Sequence, residues 1–371
     1  MTRHDADASR RSFLSAATRL TVAGAVAPMV GLPASAGAAE AAPQADAGHG
    51  TAAAATPGAV GNEYNEANSQ RALDALESAY GAHPGKRRNH TKGVGVIGQF
   101  VGNPEAARYS RSLLFAGETI EVVGRFSLAG GDPDAADTER STRGVGLQFR
   151  LPGGALQNMT MLHTPMFFAT MPKTFIDKFF ALTPDPATGK PDAAVFKAFL
   201  ASHPDHAAQA HYLGAVNPPW SYANCAFYGI HTFRFVDAQG AATMVRWRFV
   251  PRDGERALTD AELAAAPHDF LEPRLMERLR HGPALWDMIV SIGEPGDPVT
   301  NPTLLWPKER KEIHAGTLTL TNAMQQEQAP SYGINFDPLV MADGIEASDD
   351  PILLFRSPSY GLSYARRLRG V

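Results

Sequence analysis

The chain has 371 residues, of which 44% are hydrophobic and 19% are charged, so it is long enough for one large globular domain or two small ones. Its formal net charge of −4 gives no basic excess with which to bind nucleic acid. The single cysteine, Cys225, excludes an intrachain disulfide and any cysteine-rich metal or iron–sulfur site.

The N-terminus has the pattern of an export signal. Arg10 and Arg11 form a twin-arginine pair before an alanine-rich apolar run that ends in small-residue cleavage sites. Arg19 and two prolines make this run a poor permanent membrane span, although a retained anchor is the alternative. We predict a twin-arginine signal peptide over residues 1–38, a flexible Ala/Gly/Pro-rich linker over residues 39–62 and a periplasmic mature protein.

Residues 63–371 carry short strand signals separated by turns, with helical patterns between groups of strands. Strands are predicted at 93–98, 119–127, 144–151, 159–162, 227–236, 244–250, 285–292 and 315–320, and helices at 69–80, 172–182, 192–201, 260–266 and 270–280. The first four strands have no crossover helix between them, which favours an antiparallel sheet or barrel. The expected fold class is α+β, with a β-barrel core and inserted helices.

The segment from Gly93 to Gly98 matches the pattern Gly-x-Gly-x-x-Gly of dinucleotide-binding sites. A basic turn precedes it where a strand is needed, and Gly102, Asn103 and Pro104 follow where a helix is needed. We therefore interpret it as a strand whose glycines permit close approach to a bulky group.

Two pairs of residues could carry chemistry. His90 lies in a basic turn with Arg87, and a neutral imidazole there suits acid–base chemistry, although a surface histidine has the same pattern. Tyr360 follows Arg356 by four residues, which places both on one face of a helix. The arginine would favour an ionised phenol that can bind a metal, although simple packing in a C-terminal helix is the alternative.

Several blocks from about Asn68 to Gly370 resemble, in order, those of the catalase superfamily. The chain is most similar to the catalase-related haem peroxidases, the short, exported branch of that superfamily. The blocks that carry the resemblance are Arg87-Arg88-Asn89-His90-Thr91-Lys92-Gly93, Gly124-Arg125-Phe126-Ser127, Gly229-Ile230-His231-Thr232-Phe233, Trp306-Pro307, Phe336-Asp337-Pro338 and Arg356-Ser357-Pro358-Ser359-Tyr360.

The resemblance implies a catalase-like antiparallel eight-stranded β-barrel with inserted and flanking helices, without the C-terminal helical domain of large catalases. It also implies a ferric haem, expected to be b-type, with Tyr360 as the proximal iron ligand and His90 as the distal acid–base group held by Ser127. The haem contacts that it implies are Arg87, Arg125 and Arg367 at the propionates, Arg356 beside Tyr360, and Phe167 and Phe175 against the ring.

One departure from the family pattern decides the expected activity. Catalases have an Asn-Asn-Thr-Pro segment whose first Asn orients peroxide, and here Leu162-His163-Thr164-Pro165 stands in its place. A leucine cannot donate a hydrogen bond to peroxide, which should weaken disproportionation more than the first reduction of peroxide. An alternative is that His163 points inward and replaces the amide as a further catalytic residue.

The expected function is therefore a haem peroxidase that reduces hydrogen peroxide or an organic hydroperoxide with an organic donor. Three alternatives remain from the sequence: a true catalase, a fatty-acid hydroperoxide isomerase, and a haem-binding protein without turnover. A homodimer is the assembly considered, and no nucleic-acid partner or stable membrane span is expected of the mature chain.

Overall fold

The computed structural model describes residues 66–371, so the predicted signal peptide and linker lie outside the described residues. The strands are β1 Gly93–Gly102, β2 Thr119–Leu128, β3 Arg143–Arg150, β4 Leu156–Leu162, β5 Phe227–Tyr228, β6 Phe233–Val236, β7 Ala242–Pro251, β8 Ala284–Ile292, β9 Glu312–Gln325 and β10 Ile345–Ala347. The helices are α1 Glu66–Tyr80, α2 Pro172–Ala181, α3 Ala193–Ser202, α4 Ala207–Ala215, α5 Asp260–Ala265, α6 Leu271–Arg280 and α7 Pro351–Leu368. None of the helices in this part of the chain is both long and apolar enough to cross a membrane.

Eight strands close into an antiparallel barrel, which confirms the predicted fold class. Around the barrel the order is β1, β2, β3, β4, β5, β7, β8 and β9, and β9 pairs back with β1. The short strand β6 continues the line of β5 along β7, and β10 pairs with β6. Closure leaves no unpaired edge along the barrel wall.

Alternate residues of each strand fill the barrel with large apolar side chains. Phe126 packs at 5.0 Å from Tyr222 and 5.3 Å from Phe227, measured between ring centroids. Because successive strand residues face opposite sides, the neighbours of Phe126 on β2, Arg125 and Ser127, lie on the outer face of the barrel. The period-2 pattern therefore places polar residues of β2 outside the core and available to a site.

A second apolar cluster lies outside the barrel, where α1, α2 and α7 meet. Leu76 of α1, Phe179 of α2 and Phe355 of α7 are all buried in it. Helix α7 begins at the N-cap Asp350, whose carboxylate accepts from the backbone N–H of Ile352, and Pro351 takes the first helical position. These contacts hold three helices over one face of the barrel.

Three features differ from the sequence-based prediction. The single strand expected over 227–236 is interrupted between β5 and β6, where Ile230 adopts a φ of +32° that is strained for a branched residue. Strand β9 extends beyond the predicted 315–320 because β1 and β8 pair with its polar ends. The short elements α4 and β10 were not predicted, since nine and three residues are too few to show a clear period.

Strand β1 carries the Gly-x-Gly-x-x-Gly pattern, and its glycines serve strand packing. A Cβ at Gly98 would lie 2.1 Å from the carbonyl oxygen of Thr319 on β9, next to a register shift between Ile97 and Gly98. A Cβ at Gly93 would come within 2.6 Å of the Arg125 guanidinium. The interpretation as a strand that needs close approach is confirmed.

Candidate active site

A cavity of about 390 Å³ lies between the outer face of strands β2–β4 and the helices α1, α2 and α7. This volume is within the usual range for cofactor and small-molecule sites, about 300–1,000 Å³. The sequence-predicted residues that line it are Arg87, His90, Arg125, Ser127, Phe167, Phe175, Arg356, Tyr360 and Arg367. The chain segments that carry them are up to 280 residues apart, so only the fold brings them together.

His90 lies in the loop before β1 with its backbone in the left-handed region, at a φ of +55°. The side-chain oxygen of Asn89 accepts from the N–H groups of both His90 and Gly130, at 2.9 Å each, and so fixes this loop. Gly144 of β3 makes room for the imidazole, because a Cβ there would lie 2.8 Å from His90 Cε1. The ring is thus held flat against the barrel wall.

The imidazole of His90 has one fixed nitrogen and one free one. Its Nδ1 lies 2.9 Å from Ser127 Oγ, and the Ser127 hydroxyl can donate to the carbonyl oxygen of Gly144 at 3.5 Å. This arrangement favours Nδ1–H as the donor to Ser127 and leaves Nε2 as a basic nitrogen. Burial, together with the charges of Arg125, Arg356 and Arg87, lowers the pKa of His90 to about 3, so the ring is neutral at physiological pH.

Tyr360 projects from α7 into the same cavity. Arg356, one helical turn earlier, donates from Nη2 to Tyr360 Oη at 2.9 Å and to Thr160 Oγ1 of β4 at 2.6 Å. A guanidinium hydrogen bond favours the ionised form of a phenol. Arg356 therefore places a positive charge beside the phenolic oxygen and joins it to the barrel wall.

A buried histidine–aspartate hydrogen bond supports the start of α7. His231, in the break between β5 and β6, lies 2.7 Å from Asp350 Oδ2, and both side chains are 1% exposed. The carboxylate accepts from Nδ1, so Nε2 is left as an acceptor that has no hydrogen-bond partner within residues 66–371. Burial lowers the pKa of His231 although the charge of Asp350 opposes this effect. Asp350 therefore anchors both the start of α7 and the orientation of His231.

Three arginines, Arg87, Arg125 and Arg367, form a cluster that we call the arginine cradle. Within residues 66–371 none of them pairs with a carboxylate: Arg87 donates to main-chain carbonyls that include Ile334 O at 3.0 Å, and Arg125 donates to Gln326 Oε1 at 2.7 Å. The Nη1 of Arg367 is buried and has no partner in this part of the chain.

The charges of the arginine cradle disfavour one another. Burial, with the charges of Arg125 and Arg367, lowers the pKa of Arg87 to about 8, and burial lowers that of Arg125 to about 10. Burial also lowers the pKa of Arg367. A cluster of buried cations without anions is costly, so the cradle is suited to an anionic group that residues 66–371 do not themselves supply.

The lining as a whole fits a haem. It contains seven cationic side chains and no carboxylate, together with the aromatic rings of Phe167 and Phe175. The arginine cradle can neutralise two propionates, and the phenol of Tyr360 offers an oxygen for iron. Gly144 and Gly146 leave two outward positions of β3 without side chains. The residues present therefore match the cofactor that the resemblance implies.

Leu162 and His163 take different positions. Leu162 lines the cavity beside its polar residues, whereas His163 is not among the lining residues. The Nδ1 of His163 accepts from the backbone N–H of Arg143 at 3.0 Å, and burial lowers the pKa of His163 to about 3. His163 is thus placed at the end of β3 and not in the cavity lining, so the idea that it replaces the amide stays a prediction without support from this arrangement.

Sequence reasoning missed several contributors. Asp350 was not singled out, although Asp-Pro before an apolar run is a helix-start signal that could have found it. Thr160 and Gly144 are ordinary strand residues, and only the barrel register shows that they contact Arg356 and His90. Lys178 of α2 also lines the cavity and carries no sequence signal.

Comparison with known proteins shows the family directly. The family model described as Catalase matches residues 76–371. A catalase-related peroxidase of Synechococcus elongatus is 50% identical over 299 residues, covering 81% of this chain and 88% of the relative. A catalase-related peroxidase of Mycolicibacterium paratuberculosis is 32% identical over 298 residues, covering 80% and 94%.

Solved structures show the same architecture. A fungal catalase superposes with a TM-score of 0.71 at 25% identity, covering 77% of this chain and 60% of its own length. A bacterial catalase superposes with a TM-score of 0.70 at 25% identity, covering 77% and 58%. The chain thus spans roughly three fifths of the length of these catalases. The matched sequence model, the two peroxidase relatives and the shared barrel show that the chain belongs to the catalase family.

Proposed function

We propose that this protein is a haem-dependent peroxidase that reduces hydrogen peroxide or organic hydroperoxides with an organic electron donor. Oxidoreductase action on peroxide follows from membership of the catalase family and from relatives that are named catalase-related peroxidases. The donor and the division of roles among residues rest on the site geometry.

The cofactor would be held from three sides. The arginine cradle would bind the propionates, Tyr360 would ligate the iron, and Phe167 and Phe175 would pack against the ring. When bound, a ferric b-type haem supplies the redox chemistry, giving two electrons to the peroxide and recovering them from the donor. The protein contributes binding, orientation and proton transfer.

His90 moves the proton that peroxide cleavage requires. Its neutral Nε2 takes the proton from one peroxide oxygen and returns it to the departing oxygen, which leaves as water from hydrogen peroxide or as an alcohol from an organic hydroperoxide. Ser127 holds the ring through Nδ1, so Nε2 stays directed to the reacting atoms. The low pKa of His90 keeps the base available at neutral and mildly acidic pH.

Tyr360 and Arg356 would hold the cofactor from α7. Arg356 places its positive charge beside the phenolic oxygen of Tyr360. That oxygen would hold the iron of the cofactor, which would supply the chemistry of O–O cleavage. The hydroxyl of Thr160 on β4 accepts a second hydrogen bond from the guanidinium and so fixes its position next to Tyr360.

The observation that carries the choice of peroxidase over catalase is Leu162 in the cavity wall. Its side chain offers no hydrogen bond to a second peroxide molecule, and the neighbouring His163 is not among the residues that line the cavity. Oxidation of a second hydrogen peroxide would therefore lack an orienting group, whereas an organic donor needs none at that position.

A single-turnover experiment tests the proposal. The haem-loaded protein is mixed with one equivalent of hydroperoxide and then titrated with a one-electron donor. We expect two equivalents of donor to be consumed per peroxide, with the alcohol as product. A lipid hydroperoxide that is converted to an oxide or ketol without donor would instead identify an isomerase, and a His90→Ala variant with unchanged turnover would identify a haem-binding protein without this mechanism.

We also propose export to the periplasm, supported by the pair Arg10-Arg11 and the following apolar run. Replacing both arginines with lysine should keep the protein in the cytoplasm, as measured by cell fractionation. Equal periplasmic amounts of the variant would contradict the proposal.

A further inference from the structure

Lys178 is a cation in the cavity wall to which the described protein offers no anion. It is half-buried on α2, and within residues 66–371 its ammonium donates no hydrogen bond and forms no ion pair. Its Nζ lies 3.8 Å from the ring centroid of Phe168 and 5.8 Å from that of Phe179. Such a partly desolvated charge is costly unless a ligand neutralises it.

The other cations of the lining already have partners or an assigned task. Arg88 pairs with Glu77, Arg140 donates to three main-chain carbonyls and to Asn217, and Arg356 donates to Tyr360. The arginine cradle matches the propionates of haem. Lys178 is therefore the cation of this lining that has neither a hydrogen-bond partner within residues 66–371 nor a match to the cofactor.

The surroundings of Lys178 are apolar. The rings of Phe168 and Phe179 lie under its ammonium, and Leu182 lies one helical turn further along the same face and also lines the cavity. A ligand whose anionic group binds Lys178 would pack its apolar part against these rings and Leu182. A small neutral peroxide would gain nothing from it.

We propose that Lys178, together with Phe168 and Phe179, forms a subsite for the carboxylate of an amphipathic organic acid that takes part in the reaction as hydroperoxide or as donor. This inference rests on the proposed peroxidase function and adds the chemical class of one substrate. Lys178 is a binding residue here and takes no part in proton transfer.

Binding without turnover gives the primary test. Isothermal titration measures decanoate and 1-decanol, as a charged and a neutral probe, on the haem-loaded protein and its variants. We expect wild type to bind decanoate about tenfold more tightly than decanol. Lys178→Met should lose this preference while its affinity for decanol stays unchanged. Lys178→Arg should retain the preference. Lys173→Met is the control, because Lys173 is exposed and pairs with Asp177.

Equal decanoate affinity in wild type and Lys178→Met, or a parallel loss for decanol, would overturn the proposal and leave Lys178 as a packing residue over Phe168. Lys178→Gln provides a second polar, uncharged variant, and its thermal midpoint shows whether the fold is intact. Because these titrations use no peroxide, a protein that binds decanoate through Lys178 but lacks turnover would refute the peroxidase function and not the subsite.

Steady-state kinetics then identify which reactant carries the acid. Carboxylated and neutral hydroperoxides are compared with one neutral donor, and carboxylated and neutral donors with hydrogen peroxide. Lys178→Met should raise KM about tenfold for the carboxylated compound of one series, without changing kcat. The KM values of the neutral compounds should stay unchanged. An effect on neither series would contradict a role of the subsite in turnover.

Discussion

The guanidinium of Arg356 joins Tyr360 to the barrel. Its Nη2 lies 2.9 Å from the phenolic oxygen of Tyr360 on α7 and 2.6 Å from the hydroxyl of Thr160 on β4. The helix that supplies the expected iron ligand is thus tied to the strand wall through the same group that stabilises charge on that ligand. We expect this contact to affect reactivity more than stability.

Replacing Arg356 with leucine removes a charge-assisted hydrogen bond, a type of contact worth about 1.5–3 kcal/mol. We expect the rate of peroxide reduction by the haem-loaded variant to fall at least about tenfold in stopped-flow measurements. Arg369→Leu is the control, because Arg369 is exposed at the end of α7 and contacts only a main-chain carbonyl of its own helix. A wild-type rate in Arg356→Leu would contradict the assigned role.

The depressed pKa of His90 predicts an unusual pH profile. An ordinary histidine with a pKa near 6.5 would be about nine-tenths protonated at pH 5.5, and the first reduction of peroxide would slow about tenfold there. Because the pKa of His90 is lowered to about 3, the imidazole stays neutral and the rate constant should be level from pH 8 down to pH 5.5. Stopped-flow measurements across this range check the profile, and a tenfold fall by pH 5.5 would refute it.

Gly144 should be needed for the position of His90. A Cβ at Gly144 would lie 2.8 Å from His90 Cε1 and 3.1 Å from Ser127 Oγ, so Gly144→Ala should displace the imidazole from its serine. We expect the rate of peroxide reduction to fall roughly tenfold while the haem remains bound. Gly361→Ala is the matched control, since nothing lies within 4 Å of its Cβ, and it should stabilise α7 by up to about 1 kcal/mol without changing the rate.

The arginine cradle predicts a trade-off between stability and cofactor binding. The buried Nη1 of Arg367 has no partner in residues 66–371. Arg367→Gln should therefore raise the unfolding free energy of the haem-free protein by roughly 1 kcal/mol, as measured by urea denaturation. The same change should speed transfer of haem to an excess of an apo-globin. Arg366→Gln serves as the comparison, because Arg366 pairs with Glu77 and Asp74, and its loss should lower stability and leave haem transfer unchanged.

The barrel and most of its strands could be predicted because alternating apolar residues and turns are local signals. The site could be approached through motifs that surround His90 and Tyr360, but its supporting contacts could not. Gly144 and Thr160 matter through the register of β3 with β2 and β4, which depends on partners distant in sequence.

His163 illustrates the same limit. Its neighbour Leu162 faces the cavity, and alternation along β4 determines which of the two points inward. The motif alone left both possibilities open, whereas the fold pairs His163 Nδ1 with the backbone N–H of Arg143 and places Leu162 in the lining. Lys178 was missed for a related reason, because a lysine on an amphipathic helix ordinarily faces solvent.

The most direct test of the account compares peroxide consumption with oxygen release in the haem-loaded protein and in Leu162→Asn. With hydrogen peroxide alone, wild type should consume peroxide slowly and release little oxygen, and addition of an organic donor should accelerate consumption. Leu162→Asn should raise donor-free oxygen release about tenfold or more, because it adds the amide that can orient a second peroxide. Rapid donor-free oxygen release by wild type, unchanged in Leu162→Asn, would contradict the claim that this site is a peroxidase.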